Sequence, residues 1–166
     1  MTWDGDLTIP ALRESYANGA TTPSQVVEAV LRRVGEYAQK DPAVWIDIVS
    51  ASDALARAKE LEQAYEGEEK PRLFGVPFSV KNSIDVRAFK TTVACPSFAY
   101  TAQETAPVVQ RCLDEGAILI GTTNLEQFAT VRSTAAVFLF FLSLCAPALT
   151  FSATFEPNTA GPDRAS

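Results

Sequence analysis

Histidine is absent from all 166 residues. That one absence excludes Ser-His-Asp and Cys-His catalysis and every His-ligated metal site, so a hydrolase built from this chain needs another base. Lysine is the candidate, because burial lowers its pKa toward neutrality. Cysteine is scarce: Cys95, Cys112 and Cys145 are far apart, odd in number and without a C-x-x-C pair, which argues against a disulfide framework or a zinc site and for reduced thiols in the cytoplasm. No metal or cofactor is expected. Basic residues are in the minority, 14 Lys and Arg against 20 Asp and Glu for a net charge of −6, and the longest basic run is Arg32-Arg33. Nucleic acid is therefore excluded as a partner. The start, MTWDGDLTIP, lacks the basic and apolar regions of a signal peptide.

What is present is a soluble-protein composition, 47% hydrophobic, with alternating helix and strand signals. Leu7 to Gly19 reads as a first helix, with Thr8 or Asp6 as cap, Pro10 in its first turn and Leu12 and Tyr16 on its apolar stripe. Thr22-Pro23-Ser24 opens a second helix whose buried face runs through Val26, Val27, Ala29, Val30, Leu31 and Val34, with Arg32 and Arg33 toward solvent. Trp45 to Val49 is a short strand. Ser52 to Glu66 is a third helix, with Leu55, Ala58, Leu61 and Ala64 or Tyr65 at helical spacing and Gly67 as its stop. Residues 67–71 form a solvated loop. Phe74 to Val80 is a buried strand, which Ile84-Asp85-Val86 could extend. Pro107 to Glu115 is a helix with Val108, Val109, Cys112 and Leu113 inward, and Ala117 to Gly121 a second buried strand. Helix, glycine, then apolar strand is the crossover pattern of a parallel or mixed sheet covered by helices. Asn124 is placed to cap a short helix from Leu125.

On local pattern alone, Lys81 is a solvated strand end. Its place at the C-terminal end of a buried strand in an α/β pattern, where active sites gather, points further. The surrounding run reads LFGVPFSVKNSIDV from Leu73, TTVACPSFAY from Thr91 and APVVQRCLDEGAILIGTTNLEQFAT from Ala106. This run resembles the amidase signature family, most closely the allophanate hydrolases; the likeness continues upstream through the first two helices and DPAVWIDIV, and covers residues 6–130. The resemblance implies an α/β fold, here the N-terminal part of the amidase signature fold, a mixed sheet covered by helices and truncated. It implies hydrolysis of a C–N bond in a small-molecule amide by a Ser-Ser-Lys mechanism, with allophanate among the substrate classes. In that mechanism the lysine takes a proton from a serine held in a cis peptide, which activates the nucleophilic serine. Lys81 is the one triad member that carries over. Ser79 and Ser83, two residues to either side on the presumed strand, share its face but read as packing groups. Cys95 lacks a histidine to activate it.

The sequence departs from the family pattern at two positions within this run. Asn82 stands where the family usually has aspartate, and Thr122 where it commonly has the lysine of GKTN. A larger departure follows Thr130. After NLEQFAT the family proceeds to a Gly/Ser-rich segment that carries both serines, whereas this chain continues with the apolar AAVFLFFLSLCAPALTF over residues 135–151. The chain thus divides into a partial amidase domain, 1–130, and an unrelated apolar tail, 131–166. Three readings of the tail stand side by side: translated intron or frameshifted sequence, a membrane anchor whose uncharged span between Arg132 and Glu156 meets the roughly 20 residues a bilayer needs, or strands replacing missing sheet. The functional expectation is a catalytically silent amidase fragment, with a non-catalytic, tail-anchored or dominant-negative binding protein as the alternative. A membrane partner is expected only if the tail is genuine, and oligomeric state is not readable.

Overall fold

The computed structural model describes residues 3–129. The tail and its three readings lie outside the described residues. Among the described residues no helix is long and apolar enough to cross a membrane.

Three N-terminal helices form one layer: α1 (Ile9–Ala17), α2 (Pro23–Ala38) and α3 (Ala51–Ala64). Between the last two lies β1 (Trp45–Ile48). The lysine strand β2 (Pro77–Lys81) is followed by a small antiparallel ribbon, β3 (Lys90–Thr91) with β4 (Tyr100–Thr101), then α4 (Pro107–Asp114) and β5 (Ile118–Thr123). The main sheet has the order β1-β5-β2, with β5 parallel to β2 and antiparallel to β1. It is the mixed sheet with helices that the crossover pattern calls for.

The helices start where their sequence provides caps. Thr22 accepts the backbone N–H of Gln25, and the Gln25 side chain returns the bond to the Thr22 N–H, a complete capping box. Ser50 caps α3 through Asp53. Thr8 stands at the first cap position, yet its side chain makes no cap bond; Asp6 instead receives the Thr8 N–H at 2.8 Å. Val26, Val27, Ala29 and Val34 of α2 are buried, and Val30 and Leu31 flank them half-buried. On α3 the buried stripe is Ala54, Ala58 and Leu61, while Ala64 is exposed and Leu55 and Tyr65 are half-buried. Ala58 and Leu61 are buried as the spacing predicts, and Ala54 takes the place expected of Leu55 at the start of the stripe.

The sheet separates two apolar clusters. Leu12, Tyr16, Val26, Val27, Ala58 and Leu61 meet Val76, Ile118 and Ile120 on one face. Val80, Val86 and Val109, with Phe78 and Leu119 against them, fill the other. Alternate residues of β5 thus serve opposite layers, as the two-residue period requires.

Several expectations are corrected. β2 begins at Pro77, not Phe74: residues 71–76 form turns in which Phe74 N–H donates to Pro71 and Val76 N–H to Leu73, and Gly75 sits at φ +67°. A side chain at Gly75 would be strained there and would meet Pro23 Cγ at 2.8 Å. Ile84 to Val86 does not extend β2, because the N–H groups of Ser83 and Ile84 both turn back to the Lys81 carbonyl. Val108 is not inward: it is 60% exposed, and α4 buries Val109 instead. Asn124 caps no helix. Its side chain donates to the Ala43 carbonyl and receives the Leu125 N–H, and only a short 3-10 turn follows over Gln127–Ala129.

Tyr16 ties α1 to the turn before β2. Its buried hydroxyl donates to the Gly75 carbonyl at 2.9 Å, and its ring meets Phe74 edge-on at 5.7 Å. Burial, and then the Glu62 carboxylate, push the phenol well above its usual range, so it stays a donor. Tyr16→Phe keeps the ring contact and strands the carbonyl; it is expected to lower unfolding free energy by about 1–2 kcal/mol in urea denaturation.

Candidate active site

Lys81 is the last residue of β2 and is half-buried. The strand's free edge beside it opens on an apolar groove of about 220 Å³ lined in part by Ile9, Leu73, Ile84 and Val108. None of the ion pairs among the described residues involves Lys81; they join Arg32 to Glu36, Arg33 to Asp4 and Arg57 to Glu60. The lysine stands at the C-terminal end of a parallel strand pair, the part of an α/β sheet where sites gather.

Which residues share the face of Lys81 depends on an irregularity. The register of β2 on β5 runs Phe78↔Leu119, then Ser79↔Gly121, Val80↔Thr122 and Lys81↔Thr123. One extra residue, Ile120, is accommodated in β5. Such a bulge reverses the alternation beyond it. Thr123 therefore stands beside Lys81, and Thr122 on the opposite face beside Val80; without the bulge Thr122 would stand beside Lys81 and Gly121 beside Val80. Ser79 shares the Lys81 face as expected. Ser83 does not, because it lies in the turn after the strand, where the two-residue period no longer applies.

Behind Lys81, Asn82 is the hub of the site, through bonds to residues that no local pattern pairs with it. It is 1% exposed. Its Nδ2 donates to the Lys90 carbonyl at 2.7 Å and to Thr122 Oγ1 at 3.2 Å. Its Oδ1 accepts the Thr92 N–H at 2.7 Å and the Thr92 hydroxyl at 2.6 Å. Two donors and two acceptor sites are thus all used. The Lys90 carbonyl can only accept and the Thr92 N–H can only donate, so the amide orientation is fixed. The backbone contributes as well: Asn82 N–H donates to the Thr123 carbonyl at 2.9 Å, and the Asn82 carbonyl accepts from Val93 N–H at 3.2 Å. The two departures from the family pattern, Asn82 and Thr122, are therefore one contact between neutral groups.

Asn82 pins the TTVACP loop against the strand ends. In that loop Val93 and Ala94 both have positive φ, 51° and 54°, an unfavourable conformation for a β-branched residue, kept because both ends are tied. Asp85 supports the ribbon beyond it by accepting the Thr91 hydroxyl at 2.6 Å and the Tyr100 hydroxyl at 2.8 Å; the bond to Asp85 raises the Tyr100 phenol. Cys95 lies 3.2 Å from Ser97 Oγ, and that hydrogen bond draws its thiol below the usual range.

The site is thus a helix-covered mixed sheet with a lysine at a parallel strand end and a pinned Thr-Thr loop beside it. The sequence model of the amidase family matches residues 25–140, and the chain belongs to that family. It is 45% identical to the urea amidolyase of Saccharomyces cerevisiae over 86 residues, 52% of this chain and 5% of that protein. The structure of Kluyveromyces lactis allophanate hydrolase superposes with a TM-score of 0.56 at 33% identity, over 78% of this chain and 21% of that one. The native peptide amidase of Stenotrophomonas maltophilia superposes with a TM-score of 0.67 at 24% identity, over 77% and 26%, and shows the shared fold. This chain spans about a quarter or less of the length of these relatives.

Proposed function

We propose that residues 3–129 form the lysine half of an amide-hydrolysing site, in which Lys81 is the base of a Ser-Ser-Lys mechanism acting on a small amide or carbamoyl compound of the allophanate type. The observation that carries this reading is the position of Lys81 at the C-terminal end of β2, half-buried and without a carboxylate ion-pair partner among the described residues. Support for the substrate class is the likeness to a urea amidolyase and an allophanate hydrolase.

In this mechanism neutral Lys81 removes a proton from one serine, which removes one from the nucleophilic serine; attack on the amide carbon gives an acyl-enzyme and releases ammonia or an amine, and water then frees the acid. The described serines do not fill these roles. Ser79 is part of β2 itself, and Ser83 is an exposed turn residue just after the strand end. The described residues thus supply the base and neither serine, and the sequence after Thr130 lacks the family's Gly/Ser-rich segment, so the chain alone is expected to be catalytically silent.

Two assays test this. The purified chain is expected to hydrolyse neither allophanate nor simple primary amides above the buffer blank; turnover abolished by Lys81→Ala would sink the claim of silence. A chimera joining residues 1–129 to the downstream part of the Kluyveromyces lactis allophanate hydrolase is expected to release ammonia from allophanate, and Lys81→Ala in it to lower kcat about 10³-fold, the scale of a lost general base. An active chimera indifferent to Lys81→Ala would remove the lysine from the mechanism.

A further inference from the structure

Thr123 is 4% exposed, and its Oγ1 has no hydrogen-bond partner among the described residues. Buried hydroxyls are rarely left in this state, and one that is calls for a physical reason. Its position supplies one. Three side chains stand in a row on a single face of the sheet: Trp45 of β1, Thr123 of β5 and Lys81 of β2, each paired in register with its neighbour. Adjacent strands lie about 4.8 Å apart, so the lysine stem runs alongside the threonine side chain.

Two groups in that row have N–H to give. The Trp45 side chain is partly buried and packs against the helical core cluster. The Lys81 stem turns about four bonds and ends in three donors. The Oγ1 atom is closed to solvent, so water does not compete for it.

We propose that Thr123 is a positioning residue of the Lys81 site: its buried hydroxyl accepts a hydrogen bond from the Lys81 amine when the stem folds onto the sheet, and so holds the nitrogen over the sheet on the β5 side of β2. This gives the bulge at Ile120 a purpose, since it is the bulge that puts Thr123, and not Thr122, on the lysine's face. The importance of the contact for catalysis rests on Lys81 being the base proposed above; the contact itself does not.

Lysine-directed acetylation of the full chain with acetic anhydride at fixed pH 8, read by peptide mass spectrometry, tests it without any turnover. Lys40, Lys59, Lys70 and Lys90 serve as internal references. An acceptor that binds the ammonium favours the charged, unreactive form. Thr123→Val is therefore expected to speed acetylation of Lys81 about threefold to tenfold, the equivalent of half to one pKa unit, with the reference lysines unchanged. Thr123→Ser, which keeps the hydroxyl, is expected to stay at the wild-type rate. If Lys81 moves no more than the references in Thr123→Val, or if Thr123→Ser behaves like Thr123→Val, the proposal is wrong. Should Thr123→Val unfold, shown by fast labelling of every lysine, Thr123→Ala decides by the same criterion, because it removes the hydroxyl and adds no bulk. A silent chimera alongside a positive labelling result would reject the amidase reading and leave this contact standing, and the reverse pair of results would do the opposite.

Discussion

Asn82→Asp is expected to lower the unfolding free energy by about 3 kcal/mol at pH 7 and by much less near pH 4, measured by urea denaturation at each pH. The side chain is buried and every one of its hydrogen-bonding positions is used. Aspartate keeps the oxygen that accepts from Thr92. It replaces the nitrogen that donates to the Lys90 carbonyl with a second oxygen, so an ionised carboxylate would face a carbonyl at 2.7 Å. Protonation restores one donor, and burial adds to the same preference, so the carboxyl is held above its ordinary value of about 3.9 in the folded chain. The sign follows from proton binding. Below about pH 3.9 both states are protonated and the acid donates to Lys90, leaving a small loss. As pH rises above that value, the unfolded chain releases the proton and the folded one retains it, so stability falls until the raised folded pKa is passed.

The contact between Asn82 and Thr122 makes the experiment sharper. Thr122→Lys alone is expected to be destabilising, since it buries an ammonium at a position 1% exposed. In the Asn82→Asp background it supplies the cation the carboxylate lacks, and the double variant is expected to be more stable at pH 7 than the sum of the two single losses. A double-mutant cycle with no coupling would mean that the two departures from the family pattern are independent.

Gly121→Ala is the second large effect, about 3 kcal/mol of destabilisation and roughly 10 °C in Tm. A Cβ at Gly121 would lie 2.3 Å from the Asp47 carbonyl oxygen and 3.0 Å from Ile48 Cα. Both are backbone atoms of β1, so no side chain can swing aside. Gly121 pairs with Ile48, and the neighbouring Ile120 carbonyl receives the Val49 N–H at 2.8 Å, so relief requires β1 to separate from β5. Differential scanning calorimetry gives the size, and hydrogen exchange at Val49 gives the place: protection there is expected to fall more than at Ile118, which bonds to the Val76 carbonyl just before β2. Equal loss at both positions would mean a general loosening of the sheet and not a parted edge. Sequence reasoning took this glycine as the end of a strand. It lies inside one, at the point where two backbones approach too closely for a side chain.

The legible parts of the chain were those governed by local rules. The helix start at Thr22-Pro23-Ser24, the apolar face of α2 and the crossover from β2 through α4 to β5 follow from spacing and from residues that satisfy their own backbone neighbours. The misread parts were those where a distant partner intervenes. Val108 was assigned inward from an apolar count, yet α4 meets the sheet through Val109. Asn124 looked like a cap and is instead bonded to Ala43, 81 residues earlier. Ser83 was placed on the lysine's face by extending a strand that had already turned.

By itself, the sequence determined that this is an α/β chain without histidine chemistry, that it carries the lysine motif of its family at Lys81, and that the family pattern is interrupted at Asn82 and Thr122. Each of these is a matter of residue identity and short-range period. Only the tertiary structure decided that those two interruptions touch, that Asn82 holds the TTVACP loop in place, and that Thr123 is the threonine beside Lys81. The physical reason is that a single extra residue in β5 reverses which face every later side chain occupies. A bulge is fixed by how two strands pair across the sheet, which no window along one strand contains.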